Sequence, residues 1–400
     1  MLRIATAIVT GVVYAHPGMQ ELEVKMNPSG KRERAIAYTD AEFKPGDEVL
    51  LNTTAVRLGL GTGGTHFVIA QWEKAGGKSR EEADLFPNTW GHLVKMRYSP
   101  YQMAVDTVEE QGSPFHGLFA DESLSLEHTP VLIGELHSLL PAAAAACKAE
   151  SPQSRIVYVM PDGASLPIAL SRQVQRLQER GLLCASVTTG HAWGGDLETV
   201  TIHSGLLAAR HVAKADIICC FLGPGVAGTG TPLGFSGMQL AEVIHAVSLL
   251  GGVPVFVPRI SFADPRDRHR GISHHSRTVL KRFALRPSLL NVPFFHDERD
   301  DLLQHQCHTD QLEQQHLLLR LLAPDIEYVR ELDERYQLHL STMGRSLLED
   351  PSPFQTAVAA ARLAVRSREW LVRESSGEWN RCGGQDILAA LAAYLTSCEV

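Results

Sequence analysis

Ala215-Asp-Ile-Ile-Cys-Cys-Phe-Leu-Gly-Pro-Gly225, written ADIICCFLGPG, is apolar without alternation from Ile217 to Leu222 and then breaks at glycine and proline. A run this short and unalternated reads as a strand covered on both faces, the habit of parallel sheets. Similar runs lie on either side of it: HLVKMRYS, TPVLIGELHS, RIVYVMPDG and LLCASVTTG before, GVPVFVPRIS after. Helix-length amphipathic segments such as LSRQVQRLQERG and MQLAEVIHAVSLLGG separate several of them, ending at Gly181 and Gly251 where the next strand must start. Strand and helix in alternation predict a Rossmann-like, mostly parallel sheet with helices on both faces over residues 94–330.

Residues 1–72 carry short strand-like runs (IATAIVTGVVY, ELEVKM, RAIAYT, DEVLLNTTAV, HFVIAQ) with NPSG and KPGD as turns, which predict a small antiparallel β-barrel. The polar stretch 73–93, with Gly76-Gly77, reads as a linker, and 331–400 as a helical C-terminal segment suited to packing or to self-association in a homo-oligomer. The fold class is therefore α/β with an added barrel.

The chain has 400 residues and a formal charge of −8, which argues against nucleic-acid phosphates as the main partner. Seven cysteines without CxxC spacing, two of them adjacent at Cys219-Cys220, read as reduced core thiols and point to the cytoplasm. The opening MLRIATAIVTGVVYA is short and broken by Thr6, Thr10 and Gly11, so it reads as a first strand rather than a signal peptide. No segment approaches the ~20 apolar residues of a membrane span.

Ligands of open parallel sheets sit beyond the carboxyl ends of the strands. Five successive ends here carry polar or glycine-rich loops: Glu135-Leu-His137-Ser138; Pro161-Asp162-Gly163; Gly190-His191 to Asp196; Gly223 to Gly237; and Arg259 onward, with DPRDRHR and His274-His275. In GPGVAGTGTPLGFSG the glycines Gly223, Gly225 and Gly228 match GxGxxG. However, the helix does not follow at once and no acidic residue ends the next strand, which weakens a dinucleotide reading. An anion-cradling nest fits better, with Thr229, Thr231 and Ser236 adding hydroxyls, and Asp162 and Arg259 as further binding residues; a plain long turn is the competing reading. His191 and Asp196, the latter read as opening a helix, are candidate ligands of a divalent metal or a base with its orienting acid. The plainer alternative is a loop histidine beside an N-cap aspartate. His274 and His275 complete the catalytic candidates, of which at most one is expected to face a ligand.

The motifs NTTAVRLGLGTGGTHFV, PDGASLP, GHAWGGDLETVTIHSGLLAA, GPGVAGTGTPLGFSG and RISFADPRDRHRGISHHS, in this order, resemble a bacterial protein family known as a domain of unknown function, over roughly residues 1–300. The resemblance implies no activity, cofactor or catalytic residue. The residues themselves favour an enzyme acting on a small phosphate or carboxylate metabolite, by acid–base or metal-assisted chemistry. A non-catalytic metabolite-binding or regulatory module is the alternative, and a dinucleotide-dependent oxidoreductase the third.

Overall fold

The computed structural model describes residues 4–39, 41–57, 64–72, 89–96, 103–374 and 384–397, which fall into two compact units, Met1–Thr89 and Trp90–Val400. Most of the expected linker, 73–88, lies outside the described residues, as do 58–63 of the LGLGTGG loop.

In the first unit β1 (Ile4–His16), β2 (Met19–Met26), β3 (Arg32–Ala37), β4 (Glu48–Asn52) and β5 (Thr65–Gln71) close into a barrel in the order β1-β2-β3-β5-β4, with the short helix α1 (Thr54–Arg57) before β5. Period-two alternation turns Ala7, Val9, Leu22, Val24, Ala35, Val49 and Leu51 inward to form its core. One pairing departs from the antiparallel expectation: β3 and β5 run parallel, with Ala35 opposite His66. His66 is fully buried in the barrel wall, its Nε2 2.5 Å from Glu33 Oε2.

The second unit begins with β6 (Leu93–Lys95), from the run HLVKMRYS. It is not part of the central sheet. It pairs antiparallel with β7 (Met103–Val105), because so short a connection cannot make the crossover that parallel pairing requires. After the single turn α2 (His116–Phe119) come the sheet strands β8 (Pro130–Gly134), β9 (Ile156–Met160), β10 (Ala185–Thr188), β11 (Leu197–Glu198), β12 (Ile217–Phe221) and β13 (Val253–Val257). The short ribbon β14 (Ile260–Ser261) and β15 (Gly271–Ile272) follows, and then β16 (Leu289–Asn291) and β17 (Leu317–Leu319) extend the sheet. The eight sheet strands lie in the order β11-β10-β9-β12-β8-β13-β16-β17, all parallel.

Alternate side chains of each strand serve opposite faces. Leu132, Tyr158 and Cys219 pack against α3 (Leu140–Glu150), α4 (Arg172–Glu179) and the C-terminal helices. Val131, Ile133, Cys220 and Phe256 face α5 (Ile202–His211), α6 (Leu240–Leu249), α7 (His274–Thr278) with its π-helical continuation to Phe283, α8 (Arg299–Thr309) and α9 (Leu312–Gln315). Cys219 and Cys220 are buried free thiols whose pKa values burial raises. The Ala142–Ala146 run presents no bulk and is buried throughout, so α3 fits between the sheet and its helical neighbour.

The segment from 331 is helical, as expected, and packs onto the sheet. Following α10 (Ile326–Tyr336), α11 (Ser352–Glu374) buries Phe354, Ala357, Val358, Ala361 and Leu363 in the same core as the strands, with α12 (Gly384–Ser397) beside it. Among the described residues no helix is long and apolar enough to cross a membrane.

A helix starting at Asp196 is also corrected. Leu197–Glu198 adds to β10 as an edge strand, and α5 begins only after Thr201, whose hydroxyl accepts from Ser204 N in a capping box. Thr201, not Asp196, satisfies the free N–H groups of the first turn.

Candidate functional site

Three adjacent strands, β12, β8 and β13, deliver the glycine-rich loop, Glu135 and Arg259 to one crevice. From β8 the chain winds outward on one side to β9–β11, and after β13 on the other side to β16 and β17. This reversal is where an open sheet leaves a crevice above its strand ends.

Glu135 is 2% exposed. Its Oε1 lies 2.6 Å from His275 Nδ1 and accepts from Arg259 Nη1 at 3.4 Å, while Oε2 is buried with no partner among the described residues. Arg259 is buried too, and its other amine donates to Asp264 at 3.3 Å. Arg266 holds the Asp264 carboxylate bidentately at 2.8 and 2.9 Å, which keeps that acid well below the usual range. The guanidinium of Arg259 is thus directed at two carboxylates, Glu135 and Asp264.

His269, in the turn before β15, joins His274 and His275 at the start of α7. One ring nitrogen from each lies within 4.8 Å of the others. Ser273 organises the group: its hydroxyl caps α7 by accepting from His275 N and lies 2.8 Å from His269 Nδ1. Phe235 stacks on His275 at 3.9 Å and 5°, and Gly228 brings its backbone beside the same ring. His274 Nε2 is buried without a partner among the described residues. Burial, aided by Arg259, takes His269 down to about 3; burial and His275 take His274 down to about 4. Both rings are therefore neutral near pH 7, with lone pairs available. Both His274 and His275 belong to this cluster, where at most one was expected to face a ligand.

The glycine-rich loop is largely self-stitched. Thr229 Oγ1 meets Thr231 Oγ1 at 2.9 Å and Gly234 O at 3.0 Å, and Ser236 Oγ accepts from Ala227 N. A Cβ at Gly234 would lie 2.1 Å from Thr229 Oγ1, so glycine there serves the loop's own closure. The three hydroxyls fasten the turn. Gly223 and Gly225 face a cavity of about 520 Å³ that Glu135 also lines.

The structure does not bring His191 and Asp196 together. His191 Nδ1 accepts from Met96 N at 3.1 Å. Asp196 accepts from Ser186 N, Ser186 Oγ and Gln178, tying β10 to its surroundings. The intervening loop is anchored by Lys95, fully buried, whose ammonium donates to Glu198, Ala192 O and Thr188 O. Asp162 likewise latches loops, accepting from His191 N and Ser165 N.

A family model described as "Protein of unknown function (DUF3866)" matches residues 34–361. The chain belongs to that family. The DUF3866 match begins within β3 and ends within α11, so it takes in the whole central sheet and the three-histidine cluster. No curated protein and no solved structure matches the chain.

Within this DUF3866 chain, sequence reasoning passed over His269 and the roles of Glu135 and Ser273. The signal was present in DPRDRHRGISHHS, where His269 lies five residues before His274, but the arginines drew the reading.

Proposed function

We propose that the protein is a metal-dependent enzyme in which His269, His274 and His275 hold a zinc-class divalent ion that activates water for hydrolysis of a small anionic compound. The observation that carries this reading is the convergence of three imidazole nitrogens within 4.8 Å, one ring being hydrogen-bonded to the buried carboxylate of Glu135. Tetrahedral zinc needs N···N separations of about 3.4 Å, within reach of small side-chain rotations. A carboxylate behind a ligating histidine fixes its tautomer and raises its basicity. Three protein ligands leave a fourth position for water, the pattern of catalytic rather than structural zinc. Arg268 supports an anionic substrate: it is exposed, forms no ion pair among the described residues, stands 3.9 Å from the Cβ position of Gly230, and its charge reaches His274.

Elemental analysis of protein dialysed against zinc tests the centre. About one zinc per chain is expected, with His269→Ala and His274→Ala losing it, Asp196→Ala keeping it, and Glu135→Gln weakening it roughly 10–100-fold. Equal zinc retention in His269→Ala and the parent would sink the assignment.

A further inference from the structure

The cavity of about 520 Å³ beside Glu135 contains a second arrangement that the metal centre does not use. Ser171 and His137 both line it, with Ser171 Oγ 2.6 Å from His137 Nε2. Ser171 caps α4, accepting the N–H of Val174 at 3.1 Å, so its own proton is free to point at the imidazole. His137 Nδ1 lies 3.3 Å from the Tyr158 hydroxyl, which donates onward to Phe221 O at 3.1 Å. Burial takes His137 down to about 4, so the ring is neutral, and with Nδ1–H as its donor, toward the tyrosine oxygen, Nε2 is left as the nitrogen that can take a proton. These are the relations of nucleophile, base and orienting group.

A helix-capping serine bonded to a packed histidine would explain that contact alone. It does not explain two buried acceptors on the same cavity wall, Glu135 Oε2 and Gln173 Oε1, which have no partner among the described residues. Buried polar atoms are rarely left unpaired, and a ligand that donates to both would complete them.

We propose that Ser171 and His137 are the nucleophile and base of an acyl-transfer site taking a small ester or thioester whose amino or hydroxyl groups donate to Glu135 and Gln173. Ser171 Oγ attacks the acyl carbon and its proton passes to His137 Nε2. The C–O or C–S bond to the leaving group breaks, and the departing alkoxide or thiolate takes that proton as alcohol or thiol. Water then adds to the seryl ester with His137 again as base; the acid leaves and Ser171 regains its proton.

The full-length protein should be treated with an alkyl fluorophosphonate and mapped by peptide mass spectrometry. A single adduct on Ser171 is expected, formed at the same rate with and without EDTA and about 100-fold more slowly in His137→Gln. Ser171→Asn retains a good N-cap and should melt with the parent, yet take no adduct. Absence of the Ser171 adduct in folded parent protein would overturn the proposal. So would equal labelling of Ser171→Asn, or labelling abolished by EDTA, which would assign the reactivity to the metal centre.

Discussion

Arg259 was the natural choice for an anion-binding arginine, yet it is held between Glu135 and Asp264. What decides its role is Asp264, whose side chain is fully buried and which Arg266 and, at 3.6 Å, Arg345 also approach. Removing one partner from a buried charged network leaves the others uncompensated, so Asp264→Asn should cost about 3 kcal/mol at neutral pH. The sign of the pH dependence follows from the carboxyl's pKa, lowered mainly by the Arg266 hydrogen bonds. The folded state keeps this group ionised where the unfolded chain already binds a proton. Its stabilising contribution is therefore full above the unfolded value of about 4 and is lost as pH falls toward the depressed folded value. Urea titrations of parent and variant should show a constant gap from pH 7 to about 5 that narrows below about 4. A gap that widens with acid would contradict it. None of this was legible in DPRDRHR: opposite charges adjacent in sequence read equally well as a solvated loop, and only burial distinguishes the two.

At the scale of elements, the sheet was readable because its strands are buried on both faces, as in IVYVM and IICCF, where every residue is covered. The short outer strands LLN and LLL carry too few residues to stand out from helical surroundings. The start of α5 was misplaced for a different reason. Asp196 and Thr201 are both good caps in the same stretch, and choosing between them requires knowing that Ser186 claims the Asp196 carboxylate. Thr201→Ala should lower stability by about 1 kcal/mol through loss of the capping box, leaving zinc content unchanged. A variant that melts with the parent would place the cap elsewhere.

For the whole molecule, the packing expected of the C-terminal helices takes a definite form: α11 completes a layer on the sheet. The sheet face carrying Leu132, Cys219 and Val255 has α3 over part of it, and Phe354, Val358 and Leu363 of α11 fill the same cluster. The sequence showed a helix there but could not say which surface its apolar stripe met, because the partner residues lie between about 100 and 230 positions upstream. The layer assignment makes two positions on one helix behave differently. Leu363 is fully buried, so Leu363→Ala should leave a cavity and cost about 2–5 kcal/mol. Val372, about two and a half turns further on and 56% exposed, should tolerate alanine within about 0.5 kcal/mol. Both can be read from urea midpoints at constant m-value, since a change in m would signal altered compactness rather than a local void. A Leu363→Ala cost as small as that of Val372→Ala would mean that the sheet face is stable without α11. The helix would then be an appendage to a sheet that folds without it.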